Sequence, residues 1–459
     1  MIGSGVTGLA VARVLTERGD AVTVLDDSAE AVQRRSPDFA GLRVPILVTP
    51  EPAAVRDLVA AADLVVPSPG VAPDHTVVSA ATTVSTPVRA EVDLAAETAE
   101  RRGHPTLLAV TGTNGKTTVT RLITAMLRRS GIAAEAAGNI GQPLIEVVAD
   151  PAVDVVVVEV SSFQLEFTTV FRPRVAVFLN IAADHLDWHA DLDAYAAAKA
   201  RIFSNQSRDD TLVFNADDAR VSTAATAARS RTVPWTVRGQ RAGAWSATAD
   251  ALVTPEGTEL VRRAELLRSG PHDLANALAA AAAAREAGAT PSAIAAELCD
   301  FRGFPHRMEL VGEAGDVRYV DDSKATNPHA ARSALEALTG EGRVVLLAGG
   351  RNKGLDLTVL VDPSCLPRSV VGFGEAGADV ADAFRAVTGT PAVRVGTMAE
   401  AVDAARAAAE PGDVVLLSPG CASFDAYESY SQRGDHFAAL VRELPGFRPV
   451  RGTTGDNAR

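Results

Sequence analysis

Cysteine is nearly absent: Cys299, Cys365 and Cys421 are the only three in 459 residues, far apart and without zinc-ligand spacing. That excludes a disulfide framework and makes a reducing, cytoplasmic setting the simplest expectation. Basic runs are also missing, and the net charge is −13, which argues against a nucleic-acid partner. It does not argue against small anionic substrates, which answer to local charge. No apolar stretch approaches the roughly 18 residues of a membrane span, and nothing at the N-terminus reads as a signal peptide. A soluble cytoplasmic protein with no membrane span is expected. Aromatics are few, at 5 %, while the apolar share is 47 % and rich in Val and Ala. That balance suits alternating strands and helices, an α/β fold, and the length allows two to four domains.

The most informative stretch that is present runs from Thr106 to Thr118, T-L-L-A-V-T-G-T-N-G-K-T-T. Leu107 to Val110 reads as a buried strand. Gly112, Thr113, Asn114 and Gly115 read as a tight loop, and Lys116, Thr117 and Thr118 open a helix to about Arg129. Strand, glycine loop, Lys-Thr and helix are the arrangement that cradles a nucleotide triphosphate: backbone N–H groups approach the phosphates, the Lys reaches the outer ones, and the Thr hydroxyl can ligate Mg²⁺. The usual pattern has Gly where this chain has Val110. The loop alone leaves open a nucleotide-switch protein that hydrolyses slowly and ligates nothing.

Upstream, Gly3, Gly5 and Gly8 form a G-x-G-x-x-G, followed by a helix to about Arg18, a strand Ala21–Leu25 and Asp26. This is the dinucleotide-fold pattern, and by itself it leaves an NAD-dependent oxidoreductase open. Only Met1 and Ile2 precede the glycines, where a strand of four to six residues is expected, so a misplaced start or a truncated first strand is inferred. Ser68-Pro69-Gly70 is a small loop at the C-terminal edge of the next strand, where open parallel sheets bind ligands. Leu94 to Gly103 reads as a polar helix and turn, and a domain boundary is placed there.

In the central third, G-N-I-G at 138–141 carries Asn139, and the buried strand Asp154–Val160 contains Glu159. A carboxylate inside an apolar strand is costly unless paired or metal-bound, which makes Glu159 a candidate Mg²⁺ ligand. The next strand ends in N-I-A-A-D-H-L-D-W-H, where Asp184, His185, Asp187 and His189 crowd together. His185 is the functional candidate and His189 reads as structural. Lys199, on the Ala-rich helix Leu192–Phe203, reads by itself as a solvated helix lysine. Residues 229–265 pattern weakly, as a small β excursion. Asn276, near the start of the helix 271–288, is placed to meet a base or ribose.

The last third opens on F-P-H-R-M-E-L. The strand Val317–Val320 then feeds D-D-S-K-A-T-N, a cluster dense in donors. The strand Arg343–Gly350 leads to Arg351, Asn352 and Lys353, and Asp413–Ser418 leads to P-G-C-A-S-F-D. Cys421 reads as a packed small residue, and 452–459 as a frayed tail.

Together G-T-N-G-K-T-T, G-N-I-G, E-V-S-S-F-Q-L-E, N-I-A-A-D-H-L-D-W-H, Y-A-A-A-K, F-P-H-R-M-E, D-D-S-K-A-T-N and S-P-G-C-A-S-F-D-A-Y-E-S-Y-S-Q-R-G resemble the Mur ligases, in order and over essentially the whole chain. The shorter T-G-T-N-G-K-T loop is the form that family uses. The resemblance implies three domains: a Rossmann-like UDP-substrate domain at 1–102, a P-loop ATPase with a parallel sheet at 103–302, and a Rossmann-like ligase domain at 303–459 that closes over the site. It implies ATP-dependent addition of D-glutamate to UDP-MurNAc-L-Ala through an acyl phosphate, in cytoplasmic peptidoglycan precursor synthesis, by a monomer. It further implies two Mg²⁺ ions, held by Thr117 and Glu159 and by His185 with a carbamylated Lys199. Arg307, Asp322 and Asn276 would join the loop in binding ATP. Gly5, Val6, Thr7, Asp26, Ser68 and Asn139 would bind the UDP-substrate, and Lys324, Thr326, Lys353, Ser423 and Tyr430 the D-glutamate.

Overall fold

Four consecutive valines, Val155 to Val158, make a strand buried on both faces, as happens where helices cover a parallel sheet on either side. In the computed structural model, which describes residues 1–449 apart from 186–187, 339–341 and 353, this strand lies second from the edge of a nine-stranded sheet. Asp187, Lys353 and the tail at 452–459 therefore lie outside the described residues. Ala134–Gly138, Val155–Glu159, Thr106–Thr111, Val175–Phe178, Thr211–Asn215, Arg231–Thr236 and Trp245–Ala247 run parallel. Ala251–Val253 and Glu259–Arg262 finish the sheet as an antiparallel end. The stretch at 229–265 is thus a continuation of the main sheet, carrying Trp235, Trp245, Leu252 and Val261 into its core.

Alternation along each strand feeds two cores. Leu108, Val110, Val157 and Val177 face the helices Lys116–Arg129 and Pro271–Glu286, while Leu107, Ala109, Val156, Val158 and Phe178 face the other side. The alanine run explains the first of these layers. Ala279 to Ala284 are all fully buried, because a helix without bulky side chains can lie between a second helix and the sheet.

At the N-terminus, Val24–Asp26 pairs in parallel with Ile46–Val48, and Ile2 bridges Leu25 on one side and Pro67 on the other. Ile2 and Gly3 take a place in this small sheet: the Ile2 amide donates to Val66 O at 2.8 Å and that of Gly3 to Leu25 O at 2.7 Å. The helix Glu91–Arg102, polar in sequence, buries one side. Its Asp93 carboxylate accepts from the amides of Thr169 (2.6 Å) and Phe171 (2.8 Å) and the Thr169 hydroxyl (2.8 Å). Hydrogen bonds to a charged acceptor contribute about 1.5–3 kcal/mol each, so the helix is firmly tied to the segment after the Glu159 strand. The contacts group Met1–Phe301 as one unit and Arg302–Arg459 as a second.

The second unit has a seven-stranded sheet in the order Ala392–Arg394, Ser369–Phe373, Val344–Gly349, Val414–Gly420, Val317–Asp321, Glu309–Ala314 and Arg448–Pro449. The first five are parallel and the last two pairings antiparallel. Helices cover both faces, and the two cores again divide alternate strand residues, Val345 and Leu347 against Val344 and Leu346.

Candidate active site

The strand Thr106–Thr111 delivers the chain into the loop 112–115, and the helix Lys116–Arg129 starts at once. Gly115 has φ +85°, and a Cβ there would strike the Asn276 carboxamide, so a side chain at this position is strained. Asn276 therefore abuts the phosphate loop itself. Lys116 curls back, its Nζ donating to Gly112 O and Thr113 O, both at 2.9 Å. Thr117 and Thr118 are buried in the first turn of the helix.

A second lysine meets the same carbonyl. Lys199 Nζ donates to Gly112 O at 3.0 Å and lies 4.5 Å from the centre of the Tyr195 ring. Its side chain is buried, at 1 % exposure, so the sequence reading of a solvated helix lysine is corrected. Burial, and then the charge of Lys116, hold its ammonium pKa well below the ordinary value, against the opposing pull of Asp184 and Glu159. The Tyr195 ring leads on to His189, Trp188 and Phe163, ring against ring, with His189 Nε2 3.0 Å from Ser162 Oγ.

Glu159 is 3 % exposed. Its Oε1 accepts from Asn139 Nδ2 at 3.0 Å, while its Oε2 is buried with no hydrogen-bond partner among the described residues. An orphaned carboxylate oxygen in an apolar sheet is costly, and a hard divalent cation with oxygen ligands relieves it, so the donor set here fits Mg²⁺. The Asn139 side chain thus rests on Glu159. His185 has a left-handed backbone, φ +54°, with Nε2 3.6 Å from Asp184 Oδ2 and its ring edge-on to Phe163.

At the N-terminal glycines, Gly5 is the N-cap of the helix Val6–Glu17, with Val6 and Thr7 in its first turn and Val6 exposed. Asp26 accepts from Ser4 N (2.7 Å), Ser4 Oγ (2.6 Å) and Ser28 N (3.0 Å). Burial pushes its carboxyl up, but these bonds outweigh that and hold it below the usual range. Ser68 Oγ is buried without a partner, close against Gly3.

In the second unit, the strand Val317–Asp321 leads into Asp322, whose carboxylate accepts from Ser418 Oγ at 2.8 Å and Met308 N at 3.3 Å. Lys324 lies with its Nζ 5.4 Å from the centre of the Tyr430 ring, and its amide donates to His306 O. His306 in turn pairs with Asp321 at 2.8 Å, which raises its pKa. Ser423 is buried and Arg307 and Thr326 are half-buried. Of the six non-glycine residues with left-handed backbone among the described residues, three fall in the two histidine motifs: His185, His306 and Met308. Strain of that kind concentrates where the surroundings fix a site.

Three family models match in order: the Mur ligase MurD-like N-terminal domain at 1–90, the Mur ligase middle domain at 110–284, and the Mur ligase glutamate ligase domain at 306–421. The chain belongs to the Mur ligase family. Among its relatives is a UDP-N-acetylmuramoylalanine--D-glutamate ligase of Desulfosudis oleivorans, 42 % identical, with 98 % of this chain and 97 % of that one covered. Another, from Desulfitobacterium hafniense, carries the same name and is 40 % identical over 96 % of each chain. Among solved structures, the fold is shared with a UDP-N-acetylmuramate-alanine ligase of Thermotoga maritima (TM-score 0.57, 20 % identity, 95 % and 97 % covered). It is shared too with MurF of Acinetobacter baumannii (TM-score 0.59, 19 % identity, 92 % and 91 % covered). Family membership removes the oxidoreductase reading of the first glycine loop.

Several residues of this Mur ligase that hold the site were missed in the sequence. Arg433 is fully buried; its guanidinium donates to Ser323 Oγ (2.9 Å), Ser323 O (2.8 Å), Cys421 O and Ala422 O (3.2 Å each). It pins the Lys324 loop to the Ser423 loop. Gly434 beside it lies so close to His306 and Asp321 that any side chain would collide with them. Ser161 and Gln164 form a capping box after the Glu159 strand, a signal that the S-x-x-Q spacing does carry.

Asp322 offers a pH test. Burial raises its carboxyl to about 7, against the hydrogen bond from Ser418 and the charge of Arg307. Between the ordinary value of 3.8 and about 7 the native state keeps a proton that the unfolded chain releases. The stability from that group is full below this window and is lost as pH rises through it. Asp322→Asn should therefore flatten the fall in Tm across the window. An unchanged slope in thermal denaturation would show that Asp322 does not titrate there.

Proposed function

We propose that this Mur ligase joins D-glutamate to UDP-N-acetylmuramoyl-L-alanine, consuming ATP and releasing ADP and phosphate, and that it acts as a monomer in the cytoplasm. The observation that carries the reading is the 42 % identity, over nearly the full length of both chains, to a ligase of that name. Roles divide among a UDP-substrate segment at 1–102, an ATP segment at 103–302 and a ligase segment at 303–459.

A carboxylate is a poor electrophile, so the reaction first activates it. The L-alanyl carboxylate of the substrate attacks the γ-phosphorus of ATP, and ADP leaves from an acyl phosphate. The D-glutamate amine then attacks the carbonyl carbon, phosphate leaves and an amide remains. Gly112 to Thr118 receive the triphosphate, and Lys116 swings from its own loop carbonyls to the outer phosphates. Thr117 and Glu159 would hold one Mg²⁺, and His185 with a carbamylated Lys199 a second. Bound there, Mg²⁺ offsets the charge of the transferring phosphoryl group. His185 is the weakest member of this set, since Mg²⁺ prefers oxygen ligands. Asn276, Arg307 and Asp322 serve the nucleotide. Gly5, Val6, Thr7, Asp26, Ser68 and Asn139 serve the UDP-sugar, Asn139 also steadying Glu159. Lys324, Thr326, Lys353, Ser423 and Tyr430 receive D-glutamate.

The test is phosphate release with UDP-N-acetylmuramoyl-L-alanine, omitting ATP, D-glutamate or Mg²⁺ in turn. Release is expected only from the complete mixture, and only weakly when L-glutamate or L-lysine replaces D-glutamate. ATP turnover independent of the amino acid would instead identify a hydrolytic nucleotide switch.

A further inference from the structure

Asn180 follows the strand Val175–Phe178 by two residues and faces the phosphate loop. Its carboxamide closes on both backbone groups of one loop residue: the Asn114 amide donates to Asn180 Oδ1 at 2.8 Å, and Asn180 Nδ2 donates to Asn114 O at 3.1 Å. The Asn180 carbonyl accepts the Thr113 amide at 3.0 Å. The Thr113 hydroxyl accepts the Ala182 amide at 3.0 Å and lies 3.2 Å from the Tyr195 hydroxyl. The bracing segment is itself tied down, because the Ile181 amide donates to Asp218, which caps the helix Ala219–Ala225.

This geometry has a consequence for anion binding. A phosphate loop works by aiming N–H groups at the anion. Here the Thr113 and Asn114 amides are bonded to Asn180 and point into the protein. Backbone donation to the anion then falls to the rest of the loop, at the first helical turn from Gly115 to Thr118. A single polar side chain so decides which part of the glycine loop faces the nucleotide.

We propose that Asn180 is a positioning residue for ATP: it reserves the Thr113 and Asn114 amides for the protein and so directs the triphosphate to the turn Gly115–Thr118. This rests on the ATP reading above. Two measurements on the full chain test it. In residue-resolved hydrogen exchange, Thr113 and Asn114 are expected to be protected already without nucleotide, with Mg²⁺-ADP adding protection at Gly115–Thr118. In steady-state kinetics, Asn180→Ala is expected to raise KM for ATP about tenfold, the size of one or two lost hydrogen bonds, while KM for D-glutamate stays within twofold. A general loss of structure would move both constants. If Thr113 and Asn114 exchange freely until ADP is added, the proposal is overturned, and this holds even where the alanine variant does not fold. If KM for ATP stays unchanged in a folded variant, the proposal is equally overturned. If ADP protects no part of 106–129, the ATP reading itself fails and the proposal falls with it.

Discussion

Lys199→Ala is expected to lower ligation by about 10²–10³, the usual loss when one preorganised group is removed from the reacting centre, and short carboxylic acids are expected to restore part of the rate. Burial sets this expectation. A lysine with 1 % exposure, 3.0 Å from the Gly112 carbonyl and beside the charge of Lys116, is not held as a salt-bridged ammonium. Burial, and then the charge of Lys116, hold its pKa well below the ordinary value and so favour the neutral amine, the form that adds carbon dioxide to give a carbamate. The carbamate would present two oxygens where the unmodified side chain offers one nitrogen, which suits Mg²⁺ better. Formate or acetate can occupy the space vacated in the alanine variant and supply those oxygens again. Lys199→Arg fills the same space with a permanent cation, so it should be inactive and insensitive to added acids. A near-normal rate for Lys199→Ala without added acid would remove the carbamate from the mechanism.

The residues of this centre were legible to different degrees, and the difference is physical. The phosphate loop is local: strand, glycines and helix adjoin along 106–129, and each step is dictated by its own residues. Glu159 was legible because a carboxylate among valines has a cost that needs an explanation. Lys199 was not, because the helix Leu192–Ala200 has alanine on most sides and only tertiary packing decides which side is covered. The contact of the Asn139 amide with Glu159 was not legible, because it is made between neighbouring strand ends 20 residues apart. The strands at 245–262 are three or four residues long, too short for alternation to register, and the sheet that recruits them lies elsewhere in the sequence. Arg433 was not legible because most of its acceptors are backbone carbonyls, and carbonyls are invisible to side-chain patterns. Asn180 stood inside a motif already singled out, but uncharged beside Asp184 and His185, and its partners are again backbone groups.

Glu159→Gln should separate activity from stability in opposite directions. Activity is expected to fall by about 10²–10³, because the neutral amide is a poor ligand for Mg²⁺ and no longer offsets its charge near the transferring phosphoryl group. In chelator, however, the variant should melt a few degrees higher than the parent. The parent buries a carboxylate whose Oε2 has no partner, while a neutral amide in the same place costs less to desolvate and can still accept from Asn139 through its own oxygen. For a chain of this size, about 1 kcal/mol corresponds to roughly 2–4 °C or somewhat less. Adding Mg²⁺ should reverse the order. The parent gains stability by RT ln(1 + [Mg²⁺]/Kd), whereas the variant, lacking the charge, gains little. Differential scanning fluorimetry in EDTA and in Mg²⁺ reads both effects without any turnover. Equal Mg²⁺ responses in the two proteins would take Glu159 out of the metal site and leave its buried oxygen as a purely structural cost of the sheet.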